Sequence, residues 1–194
     1  MVLFIMKKIL SIALFALVCL SSFAQVDFKL QSNGTFATED GANYVVVPFE
    51  GKSAHDLFTM LTSNVTSIYN DASKVMNTVE DNTVKIRGFA GSGKMFPYIT
   101  MMKFSVEGHY QLEFKIRDGR VRVSAPMVED NAAMTGGTNG PMAVSYGGMV
   151  QKHLFEKNGN VKKKRIKDVE DIESYFNSII NRILAESQQI EEDW

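Results

Sequence analysis

Four cationic side chains around one Asp-Gly pair have the spacing of a ligand-binding surface. Lys115 and Arg117 precede Asp118-Gly119, and Arg120 and Arg122 follow it. An Asp-Gly pair between alternating apolar residues is typical of a two-residue type I′ hairpin, because both central residues of that turn need positive φ. The implied register pairs Arg117 with Arg120, so all four cations share one face and the apolar residues share the other.

Two more cations extend this predicted basic face. Lys85 and Arg87 alternate with apolar residues in a preceding strand, and they join the other four if that strand lies in the same sheet. Clustered guanidinium groups can bind carboxylates, sulfates or phosphates through two hydrogen bonds at once. The alternative is a solvated sheet face whose charge is offset by acids such as Glu113. The residues predicted to bind a ligand or partner are Lys85, Arg87, Lys115, Arg117, Arg120 and Arg122.

Patterns typical of catalysis, metal binding or nucleotide binding are incomplete. Residues 88–94 fit the phosphate-loop spacing G-x-x-x-x-G-K, but Met95 stands where the Mg²⁺-binding Ser or Thr is required, and a strand pattern follows. The three histidines, His55, His109 and His153, have no H-x-x-x-H partner, which argues against a metal site. We therefore expect a Gly-rich turn at 88–94, no catalytic residue, no metal and no cofactor.

The charge balance argues against a nucleic-acid partner. The 194 residues include 21 Lys and Arg and 22 Asp and Glu, for a formal net charge of −1, whereas nucleic-acid-binding proteins are usually strongly basic. The basic run at 162–165 could touch an anionic surface, and the alternative is a solvated segment before a helix. We expect no nucleic acid as a partner.

Residues 1–24 have the pattern of a secretory signal peptide. A positive pair at 7–8 precedes an apolar run, and small residues ending at Ala24 fit a signal-peptidase site. The run is shorter than the roughly 20 residues that span a bilayer. Cys19 lies inside the apolar run, so we interpret it as one of the apolar residues of the signal and not as a lipidation site. We expect cleavage before Gln25, a periplasmic or extracellular protein, and no transmembrane segment in the mature chain.

The rest of the chain predicts one domain with short extensions. Residues 25–43 are polar and rich in Gly, Ser and Asn, which indicates a flexible leader. The domain is expected over 44–187, followed by an acidic tail at 188–194. Within the domain, residues 129–150 form a Gly-rich loop, and a loop of that length is usually either functional or disordered.

Apolar periodicity predicts two helices on one side of an antiparallel sheet. The first helix begins at a capping box of Ser53 with Asp56 and ends near Ser73. The last has Asp168 as its N-cap and Ile179 near the centre of its apolar stripe. The predicted strands lie at 44–49, 84–89, 95–106, 110–117 and 121–125, with a turn at 107–108. This order favours an open two-layer α+β sandwich.

Three features together resemble a known family. They are residues 51–54 at the start of the first helix, the hairpin Lys-Ile-Arg-Asp-Gly-Arg-Val-Arg at 115–122, and the closing amphipathic helix behind a signal peptide. The family is a domain of unknown function with a TBP-like fold, found in exported proteins of Bacteroidetes, and the resemblance covers about 44–184. It implies a curved antiparallel sheet with two helices on one face. It implies no activity, and a fold shared with the TATA-binding protein does not imply DNA binding.

The leading functional hypothesis is a non-enzymatic exported domain that binds a partner or anionic ligand in the cell envelope through its open sheet face. One alternative is an envelope hydrolase with a site under the loop at 129–150. Another is an assembly accessory that works through an exposed strand edge.

Overall fold

The computed structural model describes residues 25–80, 82–91, 93–96, 105–135 and 140–185. The strands are Lys29–Leu30 (β1), Phe36–Ala37 (β2), Tyr44–Pro48 (β3), Met76–Val79 (β4), Thr83–Ala90 (β5), Ser105–Arg117 (β6), Arg120–Ser124 (β7), Met127–Val128 (β8), Asn131–Thr135 (β9) and Met142–Ser145 (β10). The helices are Ala54–Ile68 (α1), Ala72–Val75 (α2), Tyr146–Leu154 (α3) and Ile166–Leu184 (α4), with a 3₁₀ turn at Lys163–Arg165. The predicted signal peptide and acidic tail lie outside the described residues.

The 13-residue strand β6 is the centre of the main antiparallel sheet. Strand β5 pairs with one edge of β6, while β7, β8 and β9 follow one another along its other edge. Strand β4 extends the sheet beyond β5, β3 extends it beyond β7, and β10 extends it beyond β9. The predicted α+β class with a large antiparallel sheet is confirmed.

Alternation along β6 gives the sheet one apolar and one polar face. The inward residues of β6 are Tyr110, Leu112, Phe114 and Ile116, each at most 3% exposed. The predicted hairpin register is confirmed, since Arg117 pairs with Arg120 and Lys115 pairs with Arg122. The predicted turn at 107–108 is wrong, because β6 continues through both residues and pairs there with β5 or β9. Of the strand predicted at 95–106, only Ser105 and Val106 are strand among the described residues.

The turn between β6 and β7 is not the predicted type I′. Gly119 has a φ of 70°, but Asp118 is not in the positive-φ region that type I′ also requires there. The turn is bound to the connection before α1. The Gly119 N–H donates to the Lys52 carbonyl oxygen at 2.9 Å, and Asp118 Oδ1 accepts from the Ala54 N–H at 2.7 Å. This arrangement needs one left-handed residue, which glycine adopts without strain.

Helix α1 begins as the sequence predicts and ends earlier. The Ser53 side chain accepts from the Asp56 N–H, and the Asp56 side chain accepts from the Ser53 N–H, which completes the capping box. The buried stripe consists of Leu57, Leu61 and Val65, which pack on the apolar face of the sheet. The helix ends at Ile68 because Tyr69 is extended, and its hydroxyl lies 2.9 Å from the Tyr110 hydroxyl.

Helix α4 packs beside α1 on the same sheet face. Its Phe176 ring lies 5.3 Å from the Tyr110 ring of β6, centroid to centroid. The helix begins at Ile166, before the predicted N-cap at Asp168. The predicted centre of its stripe is also displaced, since Ile180 is fully buried whereas Ile179 is only half-buried. A spacing of four residues from Phe176 places Ile180 on the inward side of the helix.

Residues 25–43 are not a flexible leader. They form the β1–β2 hairpin, and their buried side chains are Val26, Phe28, Leu30 and Phe36. The polar composition was misleading, because the polar residues alternate with these apolar ones as in a half-buried strand, and the apolar side chains pack in the same core as the sheet and helices. The segment is ordered because these apolar side chains are buried in the core, which its polar composition did not predict.

Side-chain amides of α4 hold this N-terminal segment in an extended conformation. Asn181 accepts from the Val26 N–H and donates to its carbonyl oxygen, with both distances 2.9 Å. Asn177 does the same with Phe28, at 2.9 and 3.0 Å. Four-residue spacing on a helix matches two-residue spacing on an extended chain, since each covers about 6 Å. The two amides therefore replace a neighbouring strand.

Residues 129–150 are not a continuous loop. They contain the hairpin β9–β10 and the start of α3. Helix α3 forms because Tyr146, Val150 and Leu154 recur every four residues and are buried together. The glycines at 147 and 148 conceal this stripe in the sequence, because glycine is a poor helix former in a helix interior.

Replacing Asn177 with leucine should destabilise the protein by about 1–3 kcal/mol, because the polar backbone groups of Phe28 would stay buried without partners. Urea unfolding measures this difference. Ser174→Ala, an exposed substitution on the same helix, is the control and should change stability by less than about 0.5 kcal/mol. If Asn177→Leu also changes stability by less than about 0.5 kcal/mol, the amides do not hold the N-terminal segment.

The two neighbouring isoleucines of α4 should differ in their response to truncation. Ile180→Ala should cost about 2–5 kcal/mol because it opens a cavity in the core, and Ile179→Ala should cost clearly less. Thermal or urea unfolding of the two variants compares them directly. Equal losses would mean that the inward face of α4 is wrongly placed.

Candidate functional site

Four of the six predicted cations line one pocket on the open sheet face, with a volume of about 270 Å³. This basic pocket is formed by Tyr44, Val46, Lys115, Arg117, Arg120 and Arg122. Its lining contains no acidic residue. The cations of one hairpin therefore meet two apolar side chains from the edge strand β3.

Strand pairing places each side chain of the basic pocket. Arg122 lies between Lys115 on β6 and Val46 on β3, because β7 pairs with both strands. One step along, Arg120 lies between Arg117 and Pro48. Directly opposed residues of antiparallel strands point to the same face. The register thus brings these cations together on the side of the sheet away from α1 and α4.

The cations of the basic pocket differ in how far they are neutralised. Arg117 and Arg120 are exposed, and neither has an ion-pair partner among the described residues. Lys115 lies 3.4 Å from Glu113 and shares that carboxylate with Lys85, at 3.1 Å. Partial burial raises the pKa of Glu113, but hydrogen bonds from Lys85 and Lys115 outweigh this effect and leave the pKa below its usual value. Glu113 is therefore a charged partner for both lysines.

An aromatic ring positions Arg122. Its guanidinium carbon lies 4.0 Å from the centroid of the Tyr44 ring, in the geometry of a cation–π contact. The contact leaves the guanidinium hydrogen-bond donors available to a ligand. Tyr44 and Val46 are 42% and 47% exposed, so the pocket also presents apolar surface beside its charges.

The other two predicted cations lie outside the basic pocket. Arg87 makes a bidentate ion pair with Glu129, at 2.7 and 2.9 Å. Hydrogen bonding to Arg87 lowers the pKa of Glu129, and the same bonds raise the pKa of Arg87. Lys85 is held by Glu113 and lines an adjacent cleft of about 360 Å³, where β7 ends and β8 begins. The predicted set of six thus divides into the four cations of the basic pocket and two ion-paired cations outside it.

Sequence reasoning missed two residues of the basic pocket, Tyr44 and Val46. It placed both in a strand, but nothing in the sequence pairs that strand with β7, which lies more than 70 residues away. It also missed that Glu129 would neutralise Arg87, because that contact spans 42 residues. The signal available in the sequence for Tyr44 and Val46 was the run of aromatic and β-branched residues at 44–46.

Asp130 and Ser145, in the segment predicted as a loop at 129–150, cap helix α3. The Ser145 hydroxyl donates to Asp130 Oδ1 at 2.9 Å and accepts from the Gly148 N–H at 3.0 Å. The Gly147 N–H also donates to Asp130 Oδ1, at 3.0 Å. These bonds satisfy the first turn of α3. No geometric observation here favours the alternative of a hydrolase site.

The remaining motifs occupy separate places. In 88–94, Gly88 lies in β5, where the Tyr110 ring fills the space that a Cβ would need, and the Lys94 N–H closes a turn to the Gly91 carbonyl oxygen at 3.1 Å. His109 packs against Phe89 with ring centroids 5.3 Å apart. Among the described residues, no three His, Cys, Asp or Glu side chains form a group that could hold a metal ion.

The basic run at 162–165 lines a different groove, of about 670 Å³, together with His153. Arg165 pairs with Asp168 at 2.9 Å, and Lys162 Nζ donates to the Lys152 carbonyl oxygen at 2.6 Å. Burial, and then the charges of nearby cations, lower the pKa of His153. No residue of this groove belongs to the basic pocket.

Two solved structures are similar to this chain at low identity. One is a TBP-like protein from Parabacteroides distasonis, at 12% identity and a TM-score of 0.44, over 72% of this chain and 90% of that one. The other is a DUF4468 family protein from Bacteroides ovatus, at 9% identity and a TM-score of 0.46, over 88% of this chain and 95% of that one. Taken together, one TBP-like protein and one protein of a domain-of-unknown-function family, both from Bacteroidetes, agree with the resemblance noted in the sequence. With both TM-scores below 0.5, we transfer no function.

No protein-family model matches this chain. No curated protein matches it either. The basic pocket itself is therefore the feature that bears on function.

Arg120→Glu should raise stability by about 0.2–1 kcal/mol at low salt, because it replaces two directly opposed arginines with an opposite-charge pair. The gain should shrink as salt rises. Arg87→Glu is the matched control, and it should lower stability because it breaks the ion pair with Glu129. Urea unfolding at two salt concentrations measures both. A clear loss of stability in Arg120→Glu would mean that Arg120 supports the fold.

Proposed function

We propose that this protein is an exported, non-enzymatic binding domain whose open sheet face binds an anionic ligand or partner in the cell envelope. The observation that carries the proposal is the basic pocket, where four cations converge and no acidic side chain lines the wall. Arg117 and Arg120 are the residues best suited to contact the anion, since both are exposed and lack an ion-pair partner among the described residues.

The electrostatics of the basic pocket support binding over a merely solvated face. Opposed like charges on paired strands destabilise a sheet, and the Arg117–Arg120 pair is of this kind. Elsewhere on the same face the cations have acidic partners, as Arg87 has Glu129. An anion in the pocket would relieve the repulsion and could take bidentate hydrogen bonds from the guanidinium groups.

Export is the second part of the proposal, and the sequence of residues 1–24 supports it. Removal of that segment would leave Gln25 directly before the residues that α4 binds, beginning at Val26. In the part of the chain that the structure describes, no helix has the length and apolar character needed to cross a membrane.

The binding proposal can be tested with two labelled polyanions, poly-L-glutamate and dextran sulfate. Wild-type protein should bind at about 0.03 M NaCl and weaken at about 0.3 M, since exposed charges are screened over shorter distances as salt rises. The double variant Arg117→Glu with Arg122→Glu should lose at least about tenfold in affinity, equivalent to about 1.4 kcal/mol. Fluorescence anisotropy measures both effects.

The matched control reverses two exposed cations of the other groove, Lys163→Glu with Lys164→Glu. It makes the same change in net charge, and binding to the polyanions should stay within about twofold of wild type. Equal losses of affinity in both double variants would mean that binding depends only on net charge. That result would contradict a specific role for the basic pocket. Circular dichroism verifies that each variant is folded.

Processing in the native host gives an independent test of export. The mature protein should begin at or near Gln25, and N-terminal sequencing of periplasmic or secreted material measures this directly. A mature chain that begins at a lipidated Cys19, or an unprocessed chain in the cytoplasm, would contradict this part of the proposal.

A further inference from the structure

Strand β3 has an open edge beside the basic pocket. On its inner side it pairs with β7, and the described residues place no strand on its outer side. The Ala125 N–H donates to the Asn43 carbonyl oxygen at 2.9 Å, and the Phe49 N–H donates to the Gly119 carbonyl oxygen at 2.8 Å. These two bonds flank the strand and fix which of its residues face β7.

The alternation of an antiparallel pair then fixes which backbone groups point outward. Residues 43 and 49 bond to the β7 side, so Val45 and Val47 belong to the same hydrogen-bonded set. Tyr44 and Val46 therefore direct their N–H and C=O groups away from β7. These four groups have no partner among the described residues.

The edge carries little of the protection that natural edge strands usually have. Charged side chains, proline and bulges commonly block edge-to-edge pairing. Strand β3 has no charged residue, and Pro48 blocks only its last position. The side chains of Tyr44 and Val46 lie exposed on the open face, where they can contact the side chains of an added strand.

The neighbouring charges define which strand would fit. Arg122 is paired with Val46, and its guanidinium lies over the Tyr44 ring, which brings the charge above β3 itself. An added strand would lie about 4.8 Å farther out, within reach of that guanidinium for a glutamate on the open face. A second copy of β3 is disfavoured, because each copy carries the Arg122 guanidinium above its own β3, and pairing would bring these like charges near each other.

We propose that the outer edge of β3 accepts an extended acidic polypeptide segment as an additional antiparallel strand. The outward groups of Tyr44 and Val46 supply the backbone hydrogen bonds, and Arg120 and Arg122 recognise Asp or Glu side chains on the open face. This inference rests on the proposed function, and it narrows the anionic partner to an extended peptide.

The test uses a capped heptapeptide that alternates Glu and Val, with Glu at both ends. In an antiparallel strand, residues directly opposed across a hydrogen-bonded pair share a face. The Glu residues should therefore turn their N–H groups toward β3, while the Val residues turn theirs to solvent. N-methylation of the Glu amides should abolish binding, and N-methylation of the Val amides should preserve it. The two methylated peptides have the same charge and nearly the same loss of flexibility.

A substitution in the protein tests the same bonds from the other side. Val46→Pro removes the outward N–H of Val46 and no bond to β7, and it should weaken peptide binding at least about tenfold. Val46→Thr keeps the N–H and should leave binding within about twofold of wild type.

The outcomes separate this inference from the proposed function. Binding of dextran sulfate with equal binding of the two methylated peptides would overturn strand addition and leave the anion-binding proposal standing. Failure of wild-type protein to bind peptide and dextran sulfate would overturn both. If Val46→Pro fails to fold, the comparison of the methylated peptides on wild-type protein decides the inference.

Discussion

The pairing of β6 along both of its edges is the constraint on which the rest of this structure depends. One edge is fixed by β5, and the other is shared by β7, β8 and β9. A shift of one residue in any of these pairings would turn apolar side chains to solvent. Burial of residues such as Leu112 and Phe114 under α1 and α4 therefore also fixes where Arg117 and Lys115 lie.

The same constraint explains why charge accumulates at one corner of the open face. Core packing on the inner side selects the register, and the register then opposes Arg117 to Arg120 whatever the electrostatic cost. Farther along β5 and β6, acidic residues compensate, as Glu113 does for Lys85. In the basic pocket Glu113 pairs with Lys115, but the three arginines have no acidic partner among the described residues. This local imbalance motivates the proposal that the missing negative charge comes from a ligand or partner.

Local signals predicted much of the fold and part of the site. The Asp-Gly hairpin and its register follow from residues within ten positions of each other, and so does the capping box of α1. Contacts distant in sequence were beyond such reasoning. The sequence pattern places Asn177 at a polar position of an amphipathic helix, and it does not show that the side chain binds the backbone of Phe28. The sequence predicts that Tyr44 lies in a strand, but only the pairing of β3 with β7 brings its ring under Arg122.

Anion binding at the basic pocket can be observed directly in an NMR titration that follows the arginine Nε–Hε signals while dextran sulfate is added. The signals of Arg117, Arg120 and Arg122 should shift, because these groups face the basic pocket. The signal of Arg87 should stay in place, because Glu129 already holds its Nε at 2.7 Å. Shifts that spare the three pocket arginines, or that affect Arg87 equally, would contradict anion binding at the basic pocket.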